Sequence, residues 1–117
     1  LIHPADAAPR GITTGDVVAL RNDRGRCLAG ARVTDDVMPG VEFLWTGAWY
    51  DPDFDDPHLR DRHGNPNTLT HDLRTSVLTQ SPAAHSVQVE MRKLDGPAPS
   101  VRAHHPPARL PDPREPS

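Results

Sequence analysis

The hydrophobic positions of this chain fall in short runs that alternate with polar residues, which is typical of β-strands buried on one face. The first run is rich in valine and leucine and covers residues 16–22. Residues 22–25, Asn-Asp-Arg-Gly, follow it and have the composition of a tight turn, with the glycine placed for a positive φ angle. We therefore predict a β-hairpin whose return strand covers residues 26–34.

Two further strands are predicted later in the chain. Pro39 and Gly40 mark a turn, and residues 41–45 after it form an apolar run with hydrophobic side chains on both faces. Residues 86–92 alternate between apolar and polar, which is the pattern of a half-buried strand. Short strands separated by turn residues, with little helix, favour an all-β barrel or sandwich.

The remaining segments have weaker patterns. Residues 1–15 predict a short helix and turn, because Pro4 suits a first helical turn and glycines close the segment. Residues 46–75 contain five prolines or glycines and no sustained period, and loops of this length are usually functional or disordered. Residues 98–117 are rich in proline and predict an extended or disordered tail, which leaves residues 1–97 as the folded domain.

Composition restricts the size and the partners of this domain. The 117 residues suffice for one modest domain, and large core side chains are scarce, because 35% of the residues are hydrophobic and only five are aromatic. The net charge of −3 gives no field that attracts DNA, RNA or anionic lipid. No apolar stretch is long enough to span a membrane, and the first residues lack a signal-peptide pattern. We expect neither nucleic-acid binding nor a membrane span, and both a periplasmic and a cytoplasmic location are compatible with the sequence.

Most of the familiar metal-binding and catalytic patterns are absent. An EF-hand that begins at Asp51 needs glycine and glutamate where this chain has Asp56 and Arg62, so a solvated acidic loop is favoured. The seven histidines show no zinc-ligand spacing. Cys27 is the single cysteine and is best interpreted as a small apolar residue in a strand. No hydrolase serine motif and no glycine-rich nucleotide loop occurs.

Residues 63–80 contain a high density of hydrogen-bonding side chains. The amides of Asn65, Asn67 and Gln80 each offer two donors and an acceptor, which suits the edge of a planar heterocycle such as a pterin or guanine. Gly64 lets the backbone approach a ligand closely. The alternative is that Asn, Gly and Pro serve only as turn residues, and the residue pattern by itself favours that alternative.

A series of short motifs favours the ligand-binding interpretation of residues 63–80 over the turn interpretation. They include Ile-His-Pro-Ala-Asp at residues 2–6, Gly-Asp-Val-Val at 15–18, Asn-Asp-Arg-Gly at 22–25, Thr-Gly-Ala-Trp-Tyr-Asp-Pro at 46–52 and His-Gly-Asn-Pro-Asn at 63–67. In this order they resemble the C-terminal domain of the dimethyl sulfoxide reductase superfamily of molybdenum enzymes. The similarity is greatest to the branch that reduces trimethylamine N-oxide, dimethyl sulfoxide and biotin sulfoxide.

The resemblance implies a mainly β fold, a double-psi β-barrel of the aspartate-decarboxylase-like type with a long irregular ligand-binding loop. It also implies a bis(molybdopterin guanine dinucleotide) molybdenum cofactor and, in the complete enzyme, reduction of S-oxides or N-oxides by oxygen-atom transfer. The cofactor-binding residues it implies are Asn65, Asn67 and Gln80 at heterocycle edges, Thr75 and Ser76 at pterin or phosphate, His63 and Gly64 in shaping the loop, Trp49 and Tyr50 in lining the funnel or stacking, and Asn22 and Arg24 as further candidates.

The chain also departs from the family pattern. The family domain has strand sequence before the predicted helix, so we expect the barrel to be incomplete at its N-terminal side. The serine that binds molybdenum in this branch lies upstream, so we expect neither a catalytic residue nor a metal ligand here. The expected partners are the remaining upstream domains of the same enzyme and a small S-oxide or N-oxide. The alternatives are a truncated non-catalytic remnant or small binding module that keeps the barrel without metal, and a domain that only mediates assembly.

Overall fold

The computed structural model describes residues 1–70, 78, 87–102 and 105–106. Their strands form one antiparallel sheet of three strands, β1 (Val17–Arg21), β2 (Arg26–Gly30) and β3 (Glu90–Lys93), in the order β2-β1-β3. The sheet and the small amount of helix confirm that the chain is mainly β.

The predicted hairpin is confirmed. β1 and β2 pair from Val17 opposite Gly30 to Arg21 opposite Arg26, so the return strand ends at Gly30 and is shorter than predicted. The last predicted strand is confirmed in part, because β3 begins only at Glu90 and pairs with β1 on its other side. Met91 lies opposite Leu20, and both side chains are buried.

The beginning of the chain forms the predicted short helix. α1 (Pro4–Ala7) has proline in its first turn, and the His3 ring accepts a hydrogen bond from the Ala5 N–H at 3.0 Å. A 3₁₀ turn follows and ends at Gly11, whose φ of 65° is the left-handed conformation that commonly closes a helix. This end of the chain packs onto the sheet through Ile2, which is buried.

The prediction of a strand at residues 41–45 is wrong. This segment forms no strand, because it pairs at one position only: the Leu1 amino group donates to the Phe43 carbonyl at 2.6 Å, and the Phe43 N–H donates to the Leu1 carbonyl at 3.1 Å. A single paired position does not make a ladder. The prediction was based on the apolar run that follows the turn at residues 39–40. In the structure Leu44 packs against the core, whereas Phe43 and Trp45 are exposed.

The core is built from small and medium aliphatic side chains. Its buried members are Ile2, Ala7, Ile12, Val18, Leu20, Cys27, Leu28, Ala31, Leu69 and Met91. Cys27 is fully buried on β2, as predicted for an apolar strand residue. Between Gly30 and Pro66 the chain forms no helix or strand, so the predicted irregular loop is present over its described part.

Candidate functional site

A cleft of about 690 Å³ lies between the turn of the β1–β2 hairpin and the segment that follows the long loop. We call it the asparagine cleft, and its lining residues are Arg24, Gly25, Arg26, Tyr50, His58, Leu59, Asn65, Asn67, Thr68 and Thr70. A second depression of about 960 Å³ adjoins it on the other side of the turn and shares Arg24, Gly25, Arg26 and His58. This second depression, the arginine cleft, is also lined by Arg21, Asn22 and residues 87–90.

Asn22 holds the hairpin turn between the two clefts. Its side-chain oxygen accepts from the Arg24 N–H at 2.9 Å and the Gly25 N–H at 3.2 Å, which is the usual way asparagine closes a turn. Its side-chain nitrogen donates to the Leu69 carbonyl at 2.7 Å. One amide therefore shapes the turn and ties it to the opposite wall of the asparagine cleft.

Gly25 permits the closest approach between the two walls. A Cβ atom at this position would lie 2.2 Å from the Thr68 carbonyl oxygen, a distance that no side chain tolerates. Because the obstructing atom belongs to the backbone, rotation of a side chain cannot relieve the contact. The narrow floor of the cleft thus requires glycine at the hairpin turn.

The opposite wall is a 3₁₀ turn over Pro66–Thr68. The Asn65 side-chain oxygen accepts from the Asn67 N–H at 2.9 Å and caps this turn, while the Thr68 hydroxyl donates to the Asn65 carbonyl at 2.9 Å. The Asn67 side chain is exposed at the cleft. The two asparagines therefore differ, since the Asn65 oxygen is used within the fold and the Asn67 amide faces solvent.

Asp61 positions both the loop and the second wall. Its side chain is completely buried, and its two carboxylate oxygens accept from the Asp51 N–H at 2.8 Å and the Asn65 N–H at 2.7 Å. Its own backbone joins β2, donating to the Arg26 carbonyl at 2.9 Å and accepting from the Leu28 N–H at 2.8 Å. Sequence reasoning missed this residue, because Asp61 ends an acidic loop that resembled a solvated surface.

The backbone of the Trp49–Asp51 stretch is fixed from several sides. The His63 ring nitrogen Nδ1 lies 3.2 Å from the Trp49 carbonyl oxygen. The Asp51 carboxylate accepts from Arg62 at 3.1 Å and lies 3.4 Å from Arg102. Burial raises the pKa of Asp51, but the hydrogen bonds from the two arginines outweigh burial, and the net pKa is lowered. Asp51 therefore stays ionised and holds the loop beside the cleft.

Two guanidinium groups of the cleft have no partner among the described residues. Arg24 and Arg26 line both the asparagine and the arginine clefts, and neither side chain has an ion pair or a hydrogen bond with another described residue. Arg21, by contrast, pairs with Glu90 at 2.6 Å. Unpaired guanidinium groups are suited to phosphate, which they bind through two parallel N–H donors. Arg26 was not among the sequence candidates, because it appeared only as the first residue of the return strand.

The structure brings four of the sequence-predicted site residues to one cleft: Arg24, Tyr50, Asn65 and Asn67. Asn22 lies in the wall of the arginine cleft, and Gly64, with a φ of 77°, is buried against β2 behind the site. Trp49 is 74% exposed and lines neither cleft. Thr75, Ser76 and Gln80 lie outside the described residues.

Metal and membrane features are absent from the described part of the chain. No three histidine, cysteine, aspartate or glutamate side chains there are grouped for metal binding, and no helix there is long and apolar enough to cross a bilayer. The acidic loop between Asp51 and Asp61 instead uses its carboxylates for local turns, as when Asp53 accepts from the Asp55 N–H at 3.1 Å.

Comparison with known proteins gives the family. Residues 1–88 match the model described as Molydopterin dinucleotide binding domain. The chain is 48% identical over 99 residues to the dimethyl sulfoxide/trimethylamine N-oxide reductase of Rhodobacter capsulatus, covering 84% of the chain and 12% of that relative. It is 47% identical over 110 residues to the trimethylamine-N-oxide reductase of Salmonella typhi, covering 93% of the chain and 13% of the relative.

A third relative gives the same result. The chain is 50% identical over 96 residues to trimethylamine-N-oxide reductase 1 of Escherichia coli (strain K12), covering 81% of the chain and 11% of the relative. The chain thus spans only 11–13% of the length of these curated relatives. The family match covers most of the chain and confirms the resemblance drawn from the motifs: the chain belongs to the molybdopterin dinucleotide-binding domain family.

Proposed function

We propose that this chain is the cofactor-binding domain of a molybdenum oxidoreductase that reduces S-oxides or N-oxides. The observation that supports this proposal best is the asparagine cleft. There, an exposed amide, an aromatic ring and two guanidinium groups with no partner among the described residues share one surface in a chain of this family. Named relatives that are trimethylamine N-oxide and dimethyl sulfoxide reductases support the substrate class.

The residues of the cleft fit a pterin dinucleotide. The amide of Asn67 offers both donors and an acceptor to a guanine or pterin edge, and the Tyr50 ring gives a face for stacking. Arg24 and Arg26 match the charge and geometry of the pyrophosphate. We assign these four residues to bis(molybdopterin guanine dinucleotide).

The remaining assignments are made from the family resemblance. Gln80, Thr75 and Ser76 complete the polar contacts with heterocycle and phosphate, and Trp49 lines the substrate funnel. His63 and Gly64 shape the backbone of the loop, and Asn22 fixes the turn that carries Arg24. We also propose that the three-stranded sheet is part of a double-psi β-barrel.

The role of this chain is binding and orientation. The bound cofactor supplies oxygen-atom transfer, and the protein supplies groups that hold it in place. Gly25 and Asn22 keep the turn close to the opposite wall, and Asp61 keeps that wall in position. The upstream domains of the same enzyme and a small S-oxide or N-oxide are the proposed partners.

Alanine substitutions of the two asparagines in the cleft test the proposed function. Asn67→Ala removes an exposed amide and should weaken cofactor retention by about 5- to 150-fold, because one unsatisfied buried group on the ligand costs roughly 1–3 kcal/mol. It should leave the melting temperature of the apo protein unchanged, since the Asn67 side chain has no hydrogen bond to another described residue. Asn65→Ala removes the cap of the 3₁₀ turn and should lower that temperature as well.

Both variants are made in the full-length protein, with bound molybdenum and guanine nucleotide measured together with apo stability. Asn67→Ala protein with full molybdenum occupancy and normal oxide reduction contradicts the assignment of this cleft. A wild-type full-length protein that retains neither metal nor nucleotide supports the alternative of a non-catalytic remnant.

A further inference from the structure

Arginine residues are concentrated on the face of the sheet that points away from the core. Along β1 the Leu20 side chain is buried in the core, so Ala19 and Arg21 lie on the opposite face. Arg26 lies directly opposite Arg21 on β2, and Arg92 lies opposite Ala19 on β3. We call this side of the sheet the back face.

Arg60 extends this row of arginines beyond β2. The Asp61 backbone forms a parallel bridge with Cys27, and both side chains are completely buried. Because side chains alternate along an extended backbone, the preceding residue, Arg60, lies on the same face as Arg26. Arg60, Arg26 and Arg21 therefore occupy neighbouring positions on three adjacent backbone segments.

A depression of about 280 Å³ is formed on the back face, and we call it the back-face depression. Its charged lining residues are Arg21, Arg26, Arg60, Arg92, Lys93 and Asp95. Five of them are cationic and one is acidic, although the whole chain has a net charge of −3. Positive groups around a concave surface raise the local concentration of anions, so this depression is suited to a negatively charged ligand.

The carboxylates beside the depression leave its guanidinium groups incompletely paired. Glu90 serves two of these groups, because it lies 2.6 Å from Arg21 and 3.2 Å from Arg92. Lys93 has its own partner in Asp16 at 3.2 Å. The guanidinium groups are therefore the donors that remain for a ligand.

Arg26 and Arg60 are the least well paired of the four arginines. Arg26 lies directly opposite the like charge of Arg21 and has no ion pair with another described residue. The Arg60 Nε atom is buried and has no hydrogen-bond acceptor among the described residues, and the Asp56 carboxylate oxygen lies 3.9 Å away from it. Like charges at opposing strand positions and a buried N–H without an acceptor both cost stability, and a bound anion offsets both costs.

We propose that the back-face depression binds a small tetrahedral oxyanion, either free phosphate or the phosphate group of a small metabolite. Arg21, Arg60 and Arg92 donate to its oxygens, because a guanidinium group presents paired N–H donors whose geometry matches phosphate. Arg26 contributes its charge, while its position in the asparagine cleft keeps it available to the cofactor. The depression shares no other lining residue with that cleft, so this site goes beyond the proposed cofactor site.

Isothermal titration calorimetry of the purified full-length protein tests the site. Inorganic phosphate is titrated at constant ionic strength, and one saturable binding event is expected. Arg60→Gln and Arg92→Gln should each weaken phosphate binding by about 10- to 100-fold, because each removes charge-assisted hydrogen bonds to the anion. The Arg92 side chain is 62% exposed, so its replacement keeps the fold intact. Arg32→Gln is the matched control, because it removes the same charge from an exposed position outside the depression.

Three results overturn the proposal. The first is native protein without saturable phosphate binding. The second is an equal loss of affinity in the Arg60, Arg92 and Arg32 variants, which reflects total charge alone. The third is a parallel fall in bound molybdenum in the Arg60 and Arg92 variants, because those residues then hold the cofactor.

Methyl phosphate, titrated in the same way, identifies the source of the anion. Tighter binding of inorganic phosphate supports the free ion, and tighter binding of methyl phosphate supports a phosphorylated metabolite. Native protein that contains no molybdenum but binds phosphate through Arg60 and Arg92 supports this site and contradicts the proposed function alone.

Discussion

At the scale of single residues, the Asp61 carboxylate connects two backbone segments that position the asparagine cleft. It is fully buried, and it accepts hydrogen bonds from two backbone segments ten and four residues away, at Asp51 and Asn65. A buried polar group is tolerated only when hydrogen bonds replace its lost hydration. Both carboxylate oxygens meet this requirement, so the side chain fixes the positions of both backbone segments.

Replacing Asp61 with alanine should loosen both segments. Each orphaned N–H costs roughly 1–3 kcal/mol, so amide exchange at Asp51 and Asn65 should accelerate by about 5- to 150-fold. Hydrogen–deuterium exchange measures this locally, even within a large protein. Asp55→Ala is the control, because Asp55 is exposed and its change should leave exchange at both amides unaltered. Unchanged exchange in the Asp61 variant contradicts the structural role.

The thiol of Cys27 provides a pH-dependent prediction. Burial raises the pKa of Cys27 from 9.0 to about 11, a hydrogen bond with Thr68 lowers it, and the nearby Asp61 charge raises it. The folded state thus favours the neutral thiol, so its stabilising contribution is complete below pH 9 and is lost as the pH rises from 9 to about 11. This loss is about 1–3 kcal/mol.

Cys27→Ala removes the titrating group and should remove this part of the alkaline destabilisation. The melting temperatures of the two proteins are compared between pH 8 and 11, and the advantage of the native protein should shrink across that range. A constant difference between the two curves contradicts the raised pKa.

Sequence reasoning succeeded for residues whose role follows from local chemistry. Asn22 and Gly25 were identified with a turn because their side chains, or the absence of one, act within a few residues. Asp61 and Arg26 were missed because their roles depend on contacts across the fold. An aspartate in an acidic loop is usually solvated, and only the tertiary structure places this one beneath two backbone segments.

At the scale of elements, the site depends on how closely the β1–β2 turn approaches the 3₁₀ turn. Gly25→Ala introduces a Cβ that meets the Thr68 carbonyl oxygen at 2.2 Å, so the two turns must separate. We expect a destabilisation of about 1–3 kcal/mol, typical of overpacking. Cofactor retention should fall as well, because the groups on the two walls move apart.

The neighbouring strand offers a matched control. Gly30→Ala places the same methyl group at the end of β2, where no other atom lies within 4 Å. Unfolding free energy and bound molybdenum are measured for both variants. Equal effects from the two substitutions indicate that backbone entropy, rather than the close contact, explains the requirement for glycine.

Secondary-structure elements were predictable where the hydrophobic periodicity of the strands and the turn-forming residues between them indicated the same structure. The hairpin combined valine-rich strands with Asn-Asp-Arg-Gly, and both of its strands formed. Residues 41–45 form an apolar run after a turn, but no described strand pairs with them. Phe43 exchanges hydrogen bonds with Leu1, and the Val41 N–H donates to the Met38 carbonyl. A short apolar run by itself therefore did not determine whether the backbone pairs in a sheet.

At the scale of the whole molecule, residues 106–117 of the proline-rich tail are expected to be separable from the folded domain, whereas Arg102 contacts Asp51. The predicted boundary lies near Pro97, and the tail lacks the apolar periodicity needed to offset an ordering cost of about 1–2 kcal/mol per residue. Deleting residues 106–117 should change the unfolding free energy by less than about 0.5 kcal/mol. Urea titration of both lengths measures the difference, and a larger loss shows that the tail packs onto the domain.

The composition of the chain predicted a core with few large side chains, and the structure shows a core that contains no aromatic side chain. Every aromatic ring lies on the surface, and among the described residues Leu28 is the largest fully buried side chain. The number of aromatic residues can be read from the sequence, but their exposure cannot, because burial depends on the tertiary contacts of each side chain. Closure of the sheet into a barrel stays a prediction for the same reason.

The sheet order has a consequence for association during folding. Among the described residues β3 is an outer strand, and its Glu90, Arg92 and Lys93 side chains are exposed. The outer side of β2 is covered by backbone hydrogen bonds to Asp61. Charged residues on an outer strand repel the edge of a neighbouring molecule and so prevent strand addition. Replacing Arg92 and Lys93 with threonine should therefore increase light scattering during refolding from urea while leaving native stability nearly unchanged. The same substitutions at Arg10 and Arg32, which lie outside the sheet, should leave the refolding yield as it is.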